Sequence, residues 1–278
     1  MSANVDPRVV ADFGDEWSRH DQSGVGSDEL LRLFNEYFSV FPWDALPAGA
    51  QGFDLGCGSG RWAYFVAPRV GKLHCVDPAA AALQVARKNL ASQPNCEFHH
   101  AAVDALPFAD GSMDFGYSLG VLHHVPDTQA GLADCVRKLR PGAPFLVYLY
   151  YALDNRPWWF KAIWRASDVG RRAVSALPWG LKNPTTTAIA ALVYLPLART
   201  AALLERCGMD ARSFPLYAYR DKSFYTLKTD ARDRFGTRLE QRFSRAQIAA
   251  MMQAAGLERI AFREGIPYWC AVGYKAAG

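Results

Sequence analysis

Between residues 51 and 151, short apolar runs alternate with stretches whose apolar residues return every three or four positions. Gln51–Leu55, Lys72–Val76, Cys96–Ala102, Met113–Ser118 and Ala143–Tyr150 have the length and content of strands. A helix is expected from about Arg61. Pro78 opens a second, with Leu83, Ala86 and Leu90 on one side. A third spans Asp127–Leu139, with Leu132, Val136 and Leu139 on one face and Arg140-Pro141-Gly142 as its stop. This order predicts a parallel sheet covered on both faces.

After Tyr151 the alternation stops for about ninety residues, too many for a loop inside a compact domain. Helical patterns run from about Pro157 to Ala176 and from about Thr185 to Cys207, followed by an aromatic and Arg/Asp-rich segment from Leu216 to Arg242. The whole reads as an inserted cap. The first pattern then resumes: Ser244 and Gln247 form a capping-box signature, Ile248, Met251, Met252 and Ala255 fall at helical spacing, and Gly256 ends the helix. Leu257–Arg263 and Tyr268–Lys275 read as two last strands joined through Gly265 and Pro267.

The 278 residues, half of them hydrophobic, support one well-buried core with room for an insertion. No apolar stretch resembling a secretory signal occurs near the N-terminus, so a cytoplasmic location is expected. Six scattered cysteines without a paired spacing argue for reduced thiols; neither a disulfide frame nor a metal site is expected. The net charge of +4 and the lack of a Lys/Arg block give no footprint of a nucleic-acid binder. The apolar stretch Thr187–Leu204 is interrupted by Pro196 and Arg199; it reads as a buried or cap helix, and no membrane span is expected.

The most distinctive segment is Phe53-Asp54-Leu55-Gly56-Cys57-Gly58-Ser59-Gly60-Arg61-Trp62. It resembles the D-x-G-x-G-x-G motif of class I S-adenosylmethionine-dependent methyltransferases. A dinucleotide fingerprint, G-x-G-x-x-G, fits less well because Arg61 takes its third glycine position. Glycines suit a turn where the donor's methionyl part lies against main-chain N–H groups. The resemblance implies donor contacts from Asp54, Gly56, Cys57, Gly58 and Gly60, with Asp54 taking the ammonium. Asp77, 21 residues beyond Gly56 and followed by Pro78, stands where an acid accepts from both ribose hydroxyls. Its alternative role is the helix N-cap.

Two further stretches extend the likeness. Ala102-Val103-Asp104-Ala105-Leu106-Pro107-Phe108 is similar to the family's D-x-x-x-L-P-F segment beside the adenine, but Ala102 holds the usual acidic position. The Val103 backbone and Asp104 are the expected adenine contacts. Ser118-Leu119-Gly120-Val121-Leu122-His123-His124-Val125-Pro126-Asp127 resembles the V-L-H-H-x-P-D stretch of small-molecule enzymes related to the ubiquinone and menaquinone pathways. Ser118 and Leu119 would offer main-chain oxygen to the donor's ammonium. The implied fold is α/β: a Rossmann-like seven-stranded methyltransferase sheet with helices on both faces and a mainly helical cap inserted after strand five. The implied cofactor is S-adenosyl-L-methionine, with S-adenosylhomocysteine as product.

A base is needed only when the acceptor atom must lose a proton. His124, with His123, is the candidate; each has packing or capping as its alternative role. Phe13-Gly14-Asp15-Glu16-Trp17 resembles an F-G-x-E-W segment that covers the donor site in some bacterial enzymes, so Phe13 and Trp17 are lid candidates or staples of the N-terminal helix. Tyr150, Tyr151, Tyr219 and Arg220 are the acceptor-side candidates, because polar-tipped aromatics and Arg suit a partly apolar acceptor. His99 and His100 receive no role.

Four segments follow: an N-terminal helical lid (1–50), a donor-binding core (51–151), a substrate cap (152–243), and a C-terminal helix with hairpin completing the core (244–278). The expected function is methyl transfer to an O, N or S atom of a small-molecule acceptor. A nucleic-acid or protein methyltransferase is the first alternative; Ser118-Leu119-Gly120-Val121 lacks the N/D-P-P-aromatic motif of base amino-methyltransferases. A non-catalytic donor-binding module is the second. A lipid acceptor at a membrane surface is the third, prompted by Trp158-Trp159-Phe160 and Ala188–Leu197, which a buried cap also explains. Nothing in the sequence speaks to the oligomeric state.

Overall fold

The computed structural model describes residues 4–19 and 25–277. Residues 1–3 and 20–24 of the expected N-terminal lid lie outside them. By its internal packing the chain divides into two compact units, one of residues 1–22, 30–152 and 239–278, the other of residues 23–29 and 153–238.

The first unit holds one seven-stranded sheet. Its strands are β1 (Gln51–Leu55), β2 (Lys72–Asp77), β3 (Cys96–His100), β4 (Phe115–Leu119), β5 (Pro144–Tyr148), β6 (Leu257–Phe262) and β7 (Cys270–Lys275). They lie in the order β3-β2-β1-β4-β5-β7-β6. β1 to β5 are parallel, and β7 enters antiparallel between β5 and β6. The expected fold class is therefore present.

Residue parity sorts this core into two layers, since neighbouring side chains on a strand point to opposite faces. Phe53, Leu55, Phe145 and Val147 pack on one side with α5 (Thr128–Lys138) and α10 (Arg245–Ala254) through Leu132, Val136, Ile248 and Met252. Phe115, Tyr117, Leu119 and Leu146 pack on the other with Phe34 and Phe38 of α2 (Ser27–Phe38) and Ala63 and Val66 of α3 (Ala63–Val66). Ser244 and Gln247 close the expected capping box.

Several local expectations need correction. The helix after the glycine turn is one turn, Ala63–Val66, continued by a tight turn over Ala67–Arg69. Pro78 does not open a helix; α4 (Ala80–Asn89) starts two residues later, with Ala79 as its cap. α1 (Pro7–Arg19) packs against α4.

The second unit contains α6 (Trp158–Ser175), α7 (Trp179–Ile189), α8 (Leu195–Arg206) and α9 (Phe224–Gly236). A π-helical stretch, Ala190–Tyr194, joins α7 to α8, so the helical path is unbroken although Pro184 lies inside it. α9 falls in the segment whose aromatic and charged composition masked its helical period. The core is small: Ala190, Tyr194, Ala198, Leu227, Ala231 and Phe235. The expectation that Trp158, Trp159 and the Ala188–Leu197 stretch are buried holds only at positions such as Ala190 and Tyr194; Trp158 is 80% exposed and Leu192 77%.

Candidate functional site

Strand order reverses between β1 and β4: β2 and β3 continue on one side, β5 and β7 on the other. In open α/β sheets the crevice beyond the strand carboxyl ends at this switch point receives the ligand. Asp54 and Leu55 end β1, and Ser118 and Leu119 end β4.

Asp54 pairs in register with Cys75 and Tyr117, which places all three on one sheet face. Burial pushes its carboxyl up to about 8, with the Tyr117 hydroxyl beside it pulling the other way. Among the described residues its Oδ2 is buried without a hydrogen-bond partner, as is the Tyr117 hydroxyl. Such an acceptor is suited to a cationic group arriving from outside. Ser118 donates its hydroxyl to the Leu55 carbonyl at 3.2 Å, tying the two strand ends together.

The glycine turn is held largely by the end of β2. Gly56 and Cys57 donate their N–H groups to the Val76 carbonyl at 2.8 and 3.0 Å, and Gly60 donates to Cys57 at 2.8 Å. Gly58 donates to Asp77 Oδ2 at 2.9 Å. The glycines are therefore required less as N–H donors than as residues at φ 74°, 54° and 79°. A Cβ on Gly56 would strike Val121, and one on Gly58 would lie 2.9 Å from the Trp17 indole.

Asp77 spends both oxygens on backbone, accepting from Gly58 and, through Oδ1, from Ala79 N at 2.8 Å. It thus ties the glycine loop to the turn before α4, whose N-cap position is held by Ala79 and not by Asp77. Burial raises its carboxyl to about 6 against those two bonds. Pro78 lies with Ala101 and Ala102 along a shallow cavity whose other wall is Val5, Pro7 and Val10.

Asp104 is engaged from the N-terminus. Its carboxylate accepts from Asn4 N at 3.0 Å, while the Asn4 side chain exchanges two bonds with the Asp127 main chain at 2.9 and 2.8 Å. Val103 is buried beside it. Asn4 escaped the sequence reading because a lone Asn a hundred residues from its partner carries no local signal.

The two histidines occupy a short helical turn, Leu122–His124. His124 Nδ1 lies 2.6 Å from the Leu239 carbonyl. A carbonyl only accepts, so Nδ1 carries the proton and Nε2 presents the lone pair. His123 is fully buried and stacks on Tyr150 with ring centroids 3.8 Å apart. Burial, aided by His124 and Arg242, holds it neutral, well below the usual histidine range. Neither of its nitrogens has a hydrogen-bond partner among the described residues. Its described contacts are ring packing against Tyr150 and His124.

Phe13 tilts against the His124 ring at 4.9 Å. Trp17 faces the glycine turn, with the Arg61 guanidinium 5.5 Å from its ring and 4.5 Å from Trp62. Arg242 lies 5.1 Å from the Tyr150 ring and pairs with Glu240. Phe13, Trp17, His123, His124 and Tyr150 thus gather around the β1, β4 and β5 ends. Tyr151 turns elsewhere, pairing with Tyr268 at 5.2 Å. Tyr219 and Arg220 belong to the second unit, where Tyr219 meets Tyr194 and Arg220 bonds Glu205 at 2.6 Å.

One cluster away from this edge received no role from the sequence. His74 Nδ1 and His99 Nε2 are 2.9 Å apart on β2 and β3, and Glu97 lies within 4 Å of both. His100 is exposed and bonds the Pro78 carbonyl.

Comparison with known proteins agrees with this geometry. A methyltransferase-domain family matches residues 53–147. A ubiquinone biosynthesis O-methyltransferase of Aromatoleum aromaticum is 32% identical over 164 residues, covering 58% of this chain and 68% of the relative. A demethylmenaquinone methyltransferase of Clavibacter sepedonicus is 30% identical over 144 residues, covering 50% and 57%. Four curated relatives are matched over only 28% to 57% of their own length. Among solved structures, the putative methyltransferase in complex with the Haloferax volcanii Trm112 activator superposes with a TM-score of 0.55 at 15% identity, over 97% of this chain and 98% of that one; the likeness is one of fold. With the strand order, the glycine turn and the acids at the ends of β1 and β2, these matches place the chain among the class I S-adenosylmethionine-dependent methyltransferases.

Proposed function

We propose that this protein transfers a methyl group from S-adenosylmethionine to a hydroxyl of a small, partly apolar acceptor. The observation that carries the reading is that the carboxyl end of β1 holds a buried carboxyl with an oxygen unpartnered among the described residues (Asp54), and that of β4 is followed by an imidazole whose Nδ1–H is held by the Leu239 carbonyl (His124). S-adenosylmethionine supplies an already activated methyl group, which leaves alignment and exclusion of water to the protein.

The chain's own residues divide these tasks. Asp54, with the main-chain oxygens of Ser118 and Leu119, receives the ammonium. Asp77 receives the ribose hydroxyls through its remaining lone pairs, and Gly56, Cys57, Gly58 and Gly60 form the floor. The adenine lies toward Pro78, Val103 and Asp104. Phe13 and Trp17 close the edge against water, and His124 Nε2 accepts the proton of the attacking hydroxyl. Tyr150 presents its ring to the acceptor.

A hydroxyl is favoured because its weak nucleophilicity gains most from a base that takes its proton as it attacks, whereas a thiolate has no proton to lose and a neutral amine attacks without one being removed first. The relatives named for ubiquinone and menaquinone methylation support a small-molecule acceptor with an apolar part. Residues 153–238 form a unit of their own, which supports their assignment to acceptor selection. Six unpaired cysteines support a reducing, cytoplasmic setting. The test is calorimetry with S-adenosylhomocysteine, followed by transfer of labelled methyl to a panel of phenols, amines and thiols. Donor binding with transfer to phenols alone supports the reading; transfer confined to amines would overturn the hydroxyl assignment.

A further inference from the structure

Around its small apolar core, the second unit also turns apolar side chains outward. A helix on a water-soluble protein turns its apolar stripe inward and its polar face to solvent. α6 does the reverse. Trp158, Ala162, Ile163, Ala166, Val169 and Ala173 lie on its exposed arc, with Trp158 at 80% and Val169 at 72% exposure. Its inward arc carries Ser167, Asp168, Arg171 and Ser175. These are bonded within the unit: Arg171 to Asp168 and to the Thr237 carbonyl, Ser167 to Arg234.

The long helical path Gly180–Arg206 buries Ala190, Tyr194, Ala198 and Ala201 together with two polar side chains, and still leaves apolar residues outside. Lys182 and Thr186 are buried, with Lys182 donating to the Gly236 carbonyl at 3.0 Å. Leu181, Leu192, Val193 and Leu203 are exposed. Scattered apolar residues on a surface need no explanation, but exposed apolar faces on successive helices mark a contact with something apolar.

Charge selects the occupant. Residues 23–29 and 153–238 carry fifteen Lys/Arg against nine Asp/Glu, a net +6, while the rest of the chain carries sixteen against eighteen, a net −2. Arg165 and Arg172 border the apolar arc of α6, and Arg206 ends the long path. A second copy would set +6 against +6, whereas anionic headgroups complement it.

The sheet excludes a single crossing. Gly180–Arg206 is the one helix among the described residues long and apolar enough to span a bilayer. Yet β5 before it and β7 after it are hydrogen-bonded neighbours, so both ends of the insertion return to one side. A helix such as α6, apolar on one arc and bordered by arginines, lies in the interface plane.

We propose that the second unit docks on an anionic phospholipid bilayer, inserting the outward apolar faces of α6 and of the Gly180–Arg206 path among the headgroups. The surface is separate from the donor edge and goes beyond the methyl-transfer reading. The experiment is flotation of the full-length protein with vesicles of phosphatidylcholine, alone or mixed with phosphatidylglycerol. Wild type is expected to float with the mixed vesicles, less so in high salt. I163D and L192D, at exposed positions that leave the fold intact by circular dichroism, are expected to weaken binding by on the order of tenfold or more. Wild type staying in the aqueous layer, or both variants floating like wild type, overturns the proposal. So does a wild-type dimer that the same substitutions dissociate, because the face then belongs to a second copy. S-adenosylhomocysteine binding measured on the same samples separates failure of this surface from failure of the donor site.

Discussion

His124 is held by Leu239: its Nδ1–H donates to that main-chain carbonyl at 2.6 Å, which makes Nε2 the proton-accepting nitrogen. A hydrogen bond to a backbone carbonyl selects the tautomer and the ring orientation together. Leu239 stands 115 residues away in sequence, so the fold and not the local turn orients this ring.

The first prediction follows from that pair. With a hydroxyl acceptor, His124→Ala is expected to lower turnover by about 10²–10⁴-fold while donor affinity stays within error. His124→Gln can keep the ring's place in the packing without serving as a base, so it should be nearly as slow. The check is the pH–rate profile. An ascending limb in wild type that vanishes in both variants supports the base; a limb that persists removes His124 from the chemistry.

Asp54 makes donor binding pH-dependent. Its carboxyl titrates at about 8, raised by burial, and Asp77 at about 6. Only the ionised carboxylate attracts the donor's ammonium, so affinity for S-adenosylhomocysteine should rise as pH increases from 6 to 8. Asp54→Asn should flatten the upper part of that rise. Stability runs the other way. A carboxyl whose folded pKa exceeds its unfolded value, near 3.9, favours folding while protonated, and that contribution is lost as pH rises toward 8. Titration calorimetry and thermal melts across this range test both slopes; an affinity independent of pH would sink the ammonium assignment.

Asp77→Ala should weaken S-adenosylhomocysteine by at least about tenfold, because the turn and the ribose contacts share one carboxylate. It should also destabilise the protein, since the Gly58 and Ala79 N–H groups lose buried partners, typically about 1–3 kcal/mol for each such group. A folded variant with wild-type affinity and melting temperature would refute the double role.

Gly58 and Trp17 should be coupled. Gly58→Ala forces a Cβ to 2.9 Å from the indole and places it at φ 54°. The backbone part of the cost, about 1–2 kcal/mol, is intrinsic to L-residues in that region. The steric part depends on Trp17 and should disappear in Trp17→Ala. A double-mutant cycle on thermal stability measures the difference, with coupling of about 0.5 kcal/mol or more expected for groups in contact. Strict additivity would show that Trp17 does not rest on the turn.

Much of the core was legible along the chain because its information is local. Strand alternation, the Gly56-Cys57-Gly58-Ser59-Gly60 turn, the acids Asp54 and Asp77 and the capping box at Ser244 each depend on residues within a turn or a strand of one another. Periodicity and turn chemistry determine such elements before any tertiary contact forms. The sequence therefore determined the parallel sheet and the donor edge.

Tertiary structure decided what those elements meet. The Asn4 bonds to Asp104 and Asp127, the carbonyl that orients His124, and the stacking of His123 on Tyr150 join residues far apart in the chain. It also decided which face of α6 and of the Gly180–Arg206 path is inside. A helical period tells that two faces differ, but inward burial is decided by the partners available. Here Arg171 and Lys182 found carbonyls within their unit, at Thr237 and Gly236, and the apolar faces were left outward.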